Sequence, residues 1–166
     1  MYLGIISRYC FWKEKALKKL IYLFLVLTLL VSGFIFHNSL QSPDESNARS
    51  DQITGVVESI IDSIFGEDNE IDANYIVRKT AHFIEFFVLG ACCAGLCMVI
   101  QFYYGKDWMP YSFFCVLLIA VTDEYIQSFT GRTSSVSDVW IDLAGALCGI
   151  FSAIVARRVY VSAKEK

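Results

Sequence analysis

The sequence predicts an all-α protein, a four-helix transmembrane bundle with an extracytoplasmic amphipathic helix between helices 1 and 2. Three observations point there. Hydrophobic residues make up 55% of the 166 residues and charged residues only 19%, against nearer half and a quarter in soluble domains. The apolar residues gather into four runs, and those runs are separated by stretches that carry nearly all the charge. A chain of this length forms one domain, here taken as residues 1–166, with no room for a separate soluble catalytic module. The formal charge of −3 gives no concentrated basic face, so nucleic acid is excluded as a partner.

The first run, Leu20–Phe36, holds seventeen residues without a charge. As a helix it spans about 25 Å, close to the hydrocarbon core of a bilayer. Arg8, Lys13, Lys15, Lys18 and Lys19 precede it, a basic flank that favours a cytoplasmic N-terminus. No small-residue cleavage motif follows, so the run reads as a retained span rather than a signal peptide.

Residues 37–77 form the one long polar stretch. It carries nine acids against a single base, Arg49. Within it Ile53, Val56, Val57, Ile60, Ile61, Ile64 and Phe65 recur on one face of a helix, and Gly66 is placed to end that helix. The helix can lie on the membrane surface or over the mouth of the bundle. Its acidic opposite face argues against anionic lipid as its surface partner.

Three further apolar runs follow: Phe86–Tyr104, Trp108–Thr122 and Leu143–Ala156, of nineteen, fifteen and fourteen residues. A perpendicular span needs about twenty. The last two therefore reach across only by recruiting charged neighbours, Asp123 to Gln127 at one end and Asp138 to Asp142 at the other. The expected spans are 20–36, 81–104, 108–128 and 137–156. Arg157, Arg158, Lys164 and Lys166 follow the last, so both termini are expected in the cytoplasm, with an even number of crossings. Ser134, Ser135 or Ser137 is available to cap the fourth span.

With that topology, the outward ends of spans two, three and four all carry ionisable residues. Arg78, His82, Glu85 and Leu89 fall within about 60° on one helix face. Asp123 shares a face with Gln127, with Glu124 about 100° away; Asp138 and Asp142 lie above Gly145 and Gly149 on another. A charge turned to lipid costs roughly 2.5–3.5 kcal/mol at mid-helix. The carboxylates are therefore expected to point inward, where His82, Arg78, Lys79 and Arg132 compensate them. Gly145 and Gly149, with Ala91 and Gly95 on the second span, are expected to let the helices approach closely beneath.

Arg78-Lys79-Thr80-Ala81-His82-Phe83-Ile84-Glu85-Phe86 resembles the R-K-x-x-H-F-x-E-Y motif of the VanZ-like family. Asp123-Glu124-Tyr125-Ile126-Gln127-Ser128-Phe129, Gly131-Arg132 and Ser137-Asp138-Val139 resemble its second signature. The likeness covers residues 77–149. Phe86 stands where the family more usually has Tyr, and Asp142 where it often has Asn. The family is named for a protein associated with teicoplanin resistance, so the resemblance implies a bacterial multi-pass membrane protein with a link to envelope antibiotics. It supplies no reaction.

Ten residues are the candidates for a ligand site: Arg78, Lys79, His82, Glu85, Asp123, Glu124, Gln127, Arg132, Asp138 and Asp142. The leading reading is an outward polar pocket for an anionic envelope lipid or cell-wall precursor headgroup. Arg78, Lys79 and Arg132 would meet the anion. A membrane-embedded hydrolase or transferase is the alternative, with His82, Glu85 or Asp123 as its catalytic candidates. A lipid or small-molecule transporter is the third reading, weakened because the inner halves of spans two to four carry almost no ionisable residue. His82 and Glu85 read either as a functional pair or as a structural tie between helices. Arg132 reads either as an anion contact or as a clamp on Asp123 or Asp138. The carboxylates suit a divalent cation, but nearby bases offer neutralisation, and no metal or cofactor is expected. The six cysteines lack paired metal-site spacing and read as apolar filler.

Overall fold

A computed structural model of the chain describes residues 2–66, 71–130 and 135–164. Five helices follow in order: α1 Tyr2–Ser39, α2 Pro43–Phe65, α3 Ala73–Tyr104, α4 Met109–Gln127 and α5 Val136–Lys164. No strand occurs among the described residues. Four segments, Glu14–Ser39 of α1 and the whole of α3, α4 and α5, are long and apolar enough to cross a membrane. Their outward surface agrees with that: Tyr22, Leu29, Leu30, Phe114, Leu118 and Phe151 are all 60% or more exposed, an apolar display that needs an apolar surrounding.

Local chemistry sets the ends. Gly66 takes φ +90° and donates its N–H to the Asp62 carbonyl at 2.9 Å, so α2 stops where a left-handed residue becomes cheap. The Asp72 carboxylate accepts from the Tyr75 N–H at 3.0 Å and caps α3. Gly105, at φ +70°, closes the other end of α3 with an N–H to the Gln101 carbonyl. Asp107 accepts from the Met109 N–H at 3.0 Å at the start of α4. Pro110 sits in that first turn, where a missing N–H leaves nothing unsatisfied. Of the three candidate serines, Ser135 stands directly before α5 and its Oγ accepts from the Ser137 N–H at 3.3 Å. Ser134 lies outside the described residues.

α4 carries on through Asp123–Gln127, and α5 begins ahead of Asp138 and Asp142. Both apolar runs are thus lengthened by their charged neighbours. α1 also runs past its apolar stretch, ending at Ser39 rather than Phe36.

α3 is the centre of the bundle and touches each of the other four helices. α3 and α5 run parallel, because antiparallel α4 lies between them in the chain. Their register is a ladder: Lys79 meets Asp138, His82 meets Asp142, and the Phe83 and Phe87 carbonyls lie over Gly145 and Gly149. A Cβ on Gly145, Gly149 or Gly90 would overlap backbone of the facing helix. Closest approach therefore depends on these three glycines. Of the small pair on α3, Ala91 presents its backbone to Gly149, whereas Gly95 lies against the Phe24 ring of α1. Below the polar end the core is apolar and small: Phe86, Leu89, Cys93 and Ala94 of α3, Val116 and Ala120 of α4, and Leu143, Ala146 and Ile150 of α5. The described cysteines form no disulfide.

α2 packs on α3 through buried Ile61 and through a Thr54 hydroxyl donating to Asn74 Oδ1 at 3.0 Å. Ile53, Val56, Ile60 and Ile64 stay exposed in a stripe at helical spacing. The helix is therefore attached by one edge and leaves most of its apolar face open.

Candidate functional site

The polar residues gather where α3 and α5 begin and α1 and α4 end. Each helix arrives with its apolar stretch exhausted, so its last or first turns bring polar side chains into the bundle. Helical phase then aims them. Asp123 and Gln127 are one turn apart on α4, as are Asp138 and Asp142 on α5, and all four are buried.

At the centre His82 Nδ1 stands 3.7 Å from Asp123 Oδ2 and 3.7 Å from Asp142 Oδ1. Asp123 is fully buried. Its carboxylate accepts from the Ser39 hydroxyl of α1 and from Gln127 Nε2 at 2.7 Å. Asp142 is 1% exposed. Ligating atoms of His82, Asp123 and Asp142 lie within 4.8 Å of one another.

Around this triad the remaining contacts lock the helix ends together. Glu85 Oε1 accepts from Asn38 Nδ2 at 2.8 Å, joining α3 to α1. Glu124 Oε2 accepts from the Ser135 N–H at 3.1 Å and so fixes the start of α5 against the end of α4. Lys79 forms an ion pair with Asp138 and lies 5.3 Å from the Tyr75 ring centre. The Thr130 hydroxyl is shared between the Gln127 carbonyl at 3.0 Å and the Ser39 carbonyl at 3.3 Å.

Of the ten candidates, the structure brings His82, Asp123, Gln127 and Asp142 into one cluster. Lys79 with Asp138, Glu124 and Glu85 lie at its edges. Arg78 is half-buried and forms no ion pair among the described residues. Arg132 lies outside the described residues. Two contributors are not among the ten. Asn38 and Ser39 reach the cluster from the last turn of α1. Their signal was a polar pair immediately after an apolar run, at the same helix end where the other three carry theirs.

Chemically, an imidazole between two buried carboxylates can move a proton or share a cation. Both options gain strength from the low dielectric around them. At the opposite end of the bundle a cavity of ≈ 530 Å³ is lined by Gln101, Asp107, Met109, Ile154, Arg157 and Arg158 among others. It shares no residue with the cluster.

This architecture defines a multi-pass α-helical membrane protein whose buried ionisable groups collect at one end. A family model described as VanZ/LLP1 matches residues 3–157, and the chain belongs to that family. No match was found among curated proteins or solved structures.

Proposed function

We propose that this VanZ/LLP1 protein binds the anionic headgroup of an envelope lipid or cell-wall precursor at the His82–Asp123–Asp142 end of its bundle. One observation carries the reading. Polar side chains from α1, α3, α4 and α5 converge at a single end, and the buried carboxylates among the described residues, Asp123, Glu124, Asp138 and Asp142, all lie there. A helix end is the depth at which a headgroup sits. Arg78 supports an anion there, since its half-buried guanidinium has no carboxylate partner among the described residues and suits phosphate bidentately. Arg132 is proposed to join it, while Lys79 is held by Asp138. The basic flanks of the first and last spans support a cytoplasmic position for both termini, an orientation in which the cluster faces outward. Altered susceptibility to a glycopeptide-type antibiotic is then the expected cellular outcome.

Full-length protein in nanodiscs of zwitterionic lipid, with and without added polyprenyl phosphate, tests the reading. Wild type is expected to retain the phosphate lipid, and Arg78→Ala or Arg132→Ala to lose it while remaining folded. Equal retention by all three proteins, or none by wild type, overturns it. A second reading, an enzyme acting on such a lipid, is favoured by His82 lying between two carboxylates, the arrangement of a general base. Turnover of the lipid that disappears in His82→Ala would establish it.

A further inference from the structure

We propose that His82, Asp123 and Asp142 form a binding site for one divalent transition cation of the Mn²⁺ or Zn²⁺ class. In the sequence the acids lie near bases that can neutralise them, and no metal is expected. In the structure Lys79 lies with Asp138, one turn away from Asp142. The triad itself is an imidazole and two carboxylates from three different helices, with ligating atoms all within 4.8 Å.

The separations suit a shared ion. His82 Nδ1 is 3.7 Å from one oxygen of each carboxylate, too long for a direct hydrogen bond to either. Ligands bonded at about 2.1 Å in a tetrahedral shell stand about 3.4 Å apart, so a small cation reaches all three with only slight inward movement. One nitrogen and two carboxylate oxygens form a mixed donor set, harder than the thiolate sites that select Cu(I) or iron–sulfur clusters.

A separate observation points the same way. Asp142 is 1% exposed, and its Oδ2 meets no hydrogen-bond donor among the described residues. A carboxylate buried so deeply needs a proton or a cation. The supporting contacts are also in place. Ser39 and Gln127 hold the Asp123 carboxylate from either side, as residues behind metal ligands do. Three protein ligands leave a coordination position for water or for a phosphate oxygen. The site rests on the triad alone and does not require the headgroup reading.

Full-length protein in detergent, stripped with EDTA and titrated with Mn²⁺, tests the site, with the electron paramagnetic resonance of free Mn²⁺ counting bound ions. Mn²⁺ is the probe because it favours oxygen and nitrogen over the sulfur of Cys92, Cys93 and Cys97. One ion per chain is expected for wild type and for Asp51→Asn, an exposed acid on α2. Asp142→Asn and His82→Ala should each weaken binding beyond the roughly 10–100-fold that loss of a mere supporting residue causes. No binding by wild type, or binding that survives both substitutions, overturns the site. Helical circular dichroism confirms that each variant is folded. Should Asp142→Asn fail to fold, half-buried His82→Ala decides the question alone.

Discussion

The α3–α5 seam is built in two different ways along its length. Around Gly90, Gly145 and Gly149 the helices meet backbone to backbone, with no room for a side chain. Between one and three turns away, the same helices face each other through Lys79 and Asp138, and through His82 and Asp142, with Asp123 of α4 at their side. The glycine half is dispersion and close contact, which is what holds membrane helices together when lipid removes the hydrophobic difference. The polar half places carboxylates where desolvation works against them and offsets this with a limited set of donors. One half brings the helices into backbone contact; the other buries ionisable groups between the same helices.

Substitutions along the seam can break this division, and the largest effect belongs to the glycine half. Gly149→Leu drives a side chain into the Phe87 carbonyl and Ala91 backbone. A loss of about 3 kcal/mol or more is expected, the upper end for overpacking, because backbone cannot rotate away. Unfolding in detergent followed by circular dichroism measures it. Ser39→Ala removes a donor to buried Asp123 and is expected to cost about 2 kcal/mol, as for a hydrogen bond to a charged group. The same assay reads it. Ser135→Ala removes the cap of α5 at about 1 kcal/mol, seen as earlier melting without loss of the folded state. Gly33→Ala is the counterpart of Gly149, since a Cβ there meets nothing within 4 Å. It should be neutral or stabilise by up to about 1 kcal/mol through helix propensity. A Gly33 variant as damaging as Gly149→Leu would mean that glycine content, not the seam, governs stability.

Much of this arrangement was legible in the sequence. Four apolar runs gave four membrane-spanning helices, and two runs too short to span announced that Asp123 and Asp142 would be drawn into the bundle. Helical phase placed Asp123 with Gln127 and Asp138 with Asp142 on buried faces, as found. Phase was less informative between neighbours. Arg78 and Lys79 differ by about 100°, and the sequence could not say that Lys79 would face Asp138. The same limit hid Gly90, which meets α5, behind Gly95, which meets Phe24 of α1. Choosing between them requires the rotation of the partner helix, a tertiary quantity. Asn38 and Ser39 were counted with the polar loop because apolar run length marks where lipid contact ends, not where helical hydrogen bonding ends. α1 continues one further turn, and that turn supplies the fourth wall of the cluster.

The melting midpoint of Asp142→Asn, measured in detergent with chelator present, tests the division most directly. The amide keeps the shape of the carboxyl group and needs neither a proton nor a cation when buried, so the midpoint should be unchanged or raised relative to wild type. A fall as large as that of Gly149→Leu would show instead that the polar end is what holds the helices together.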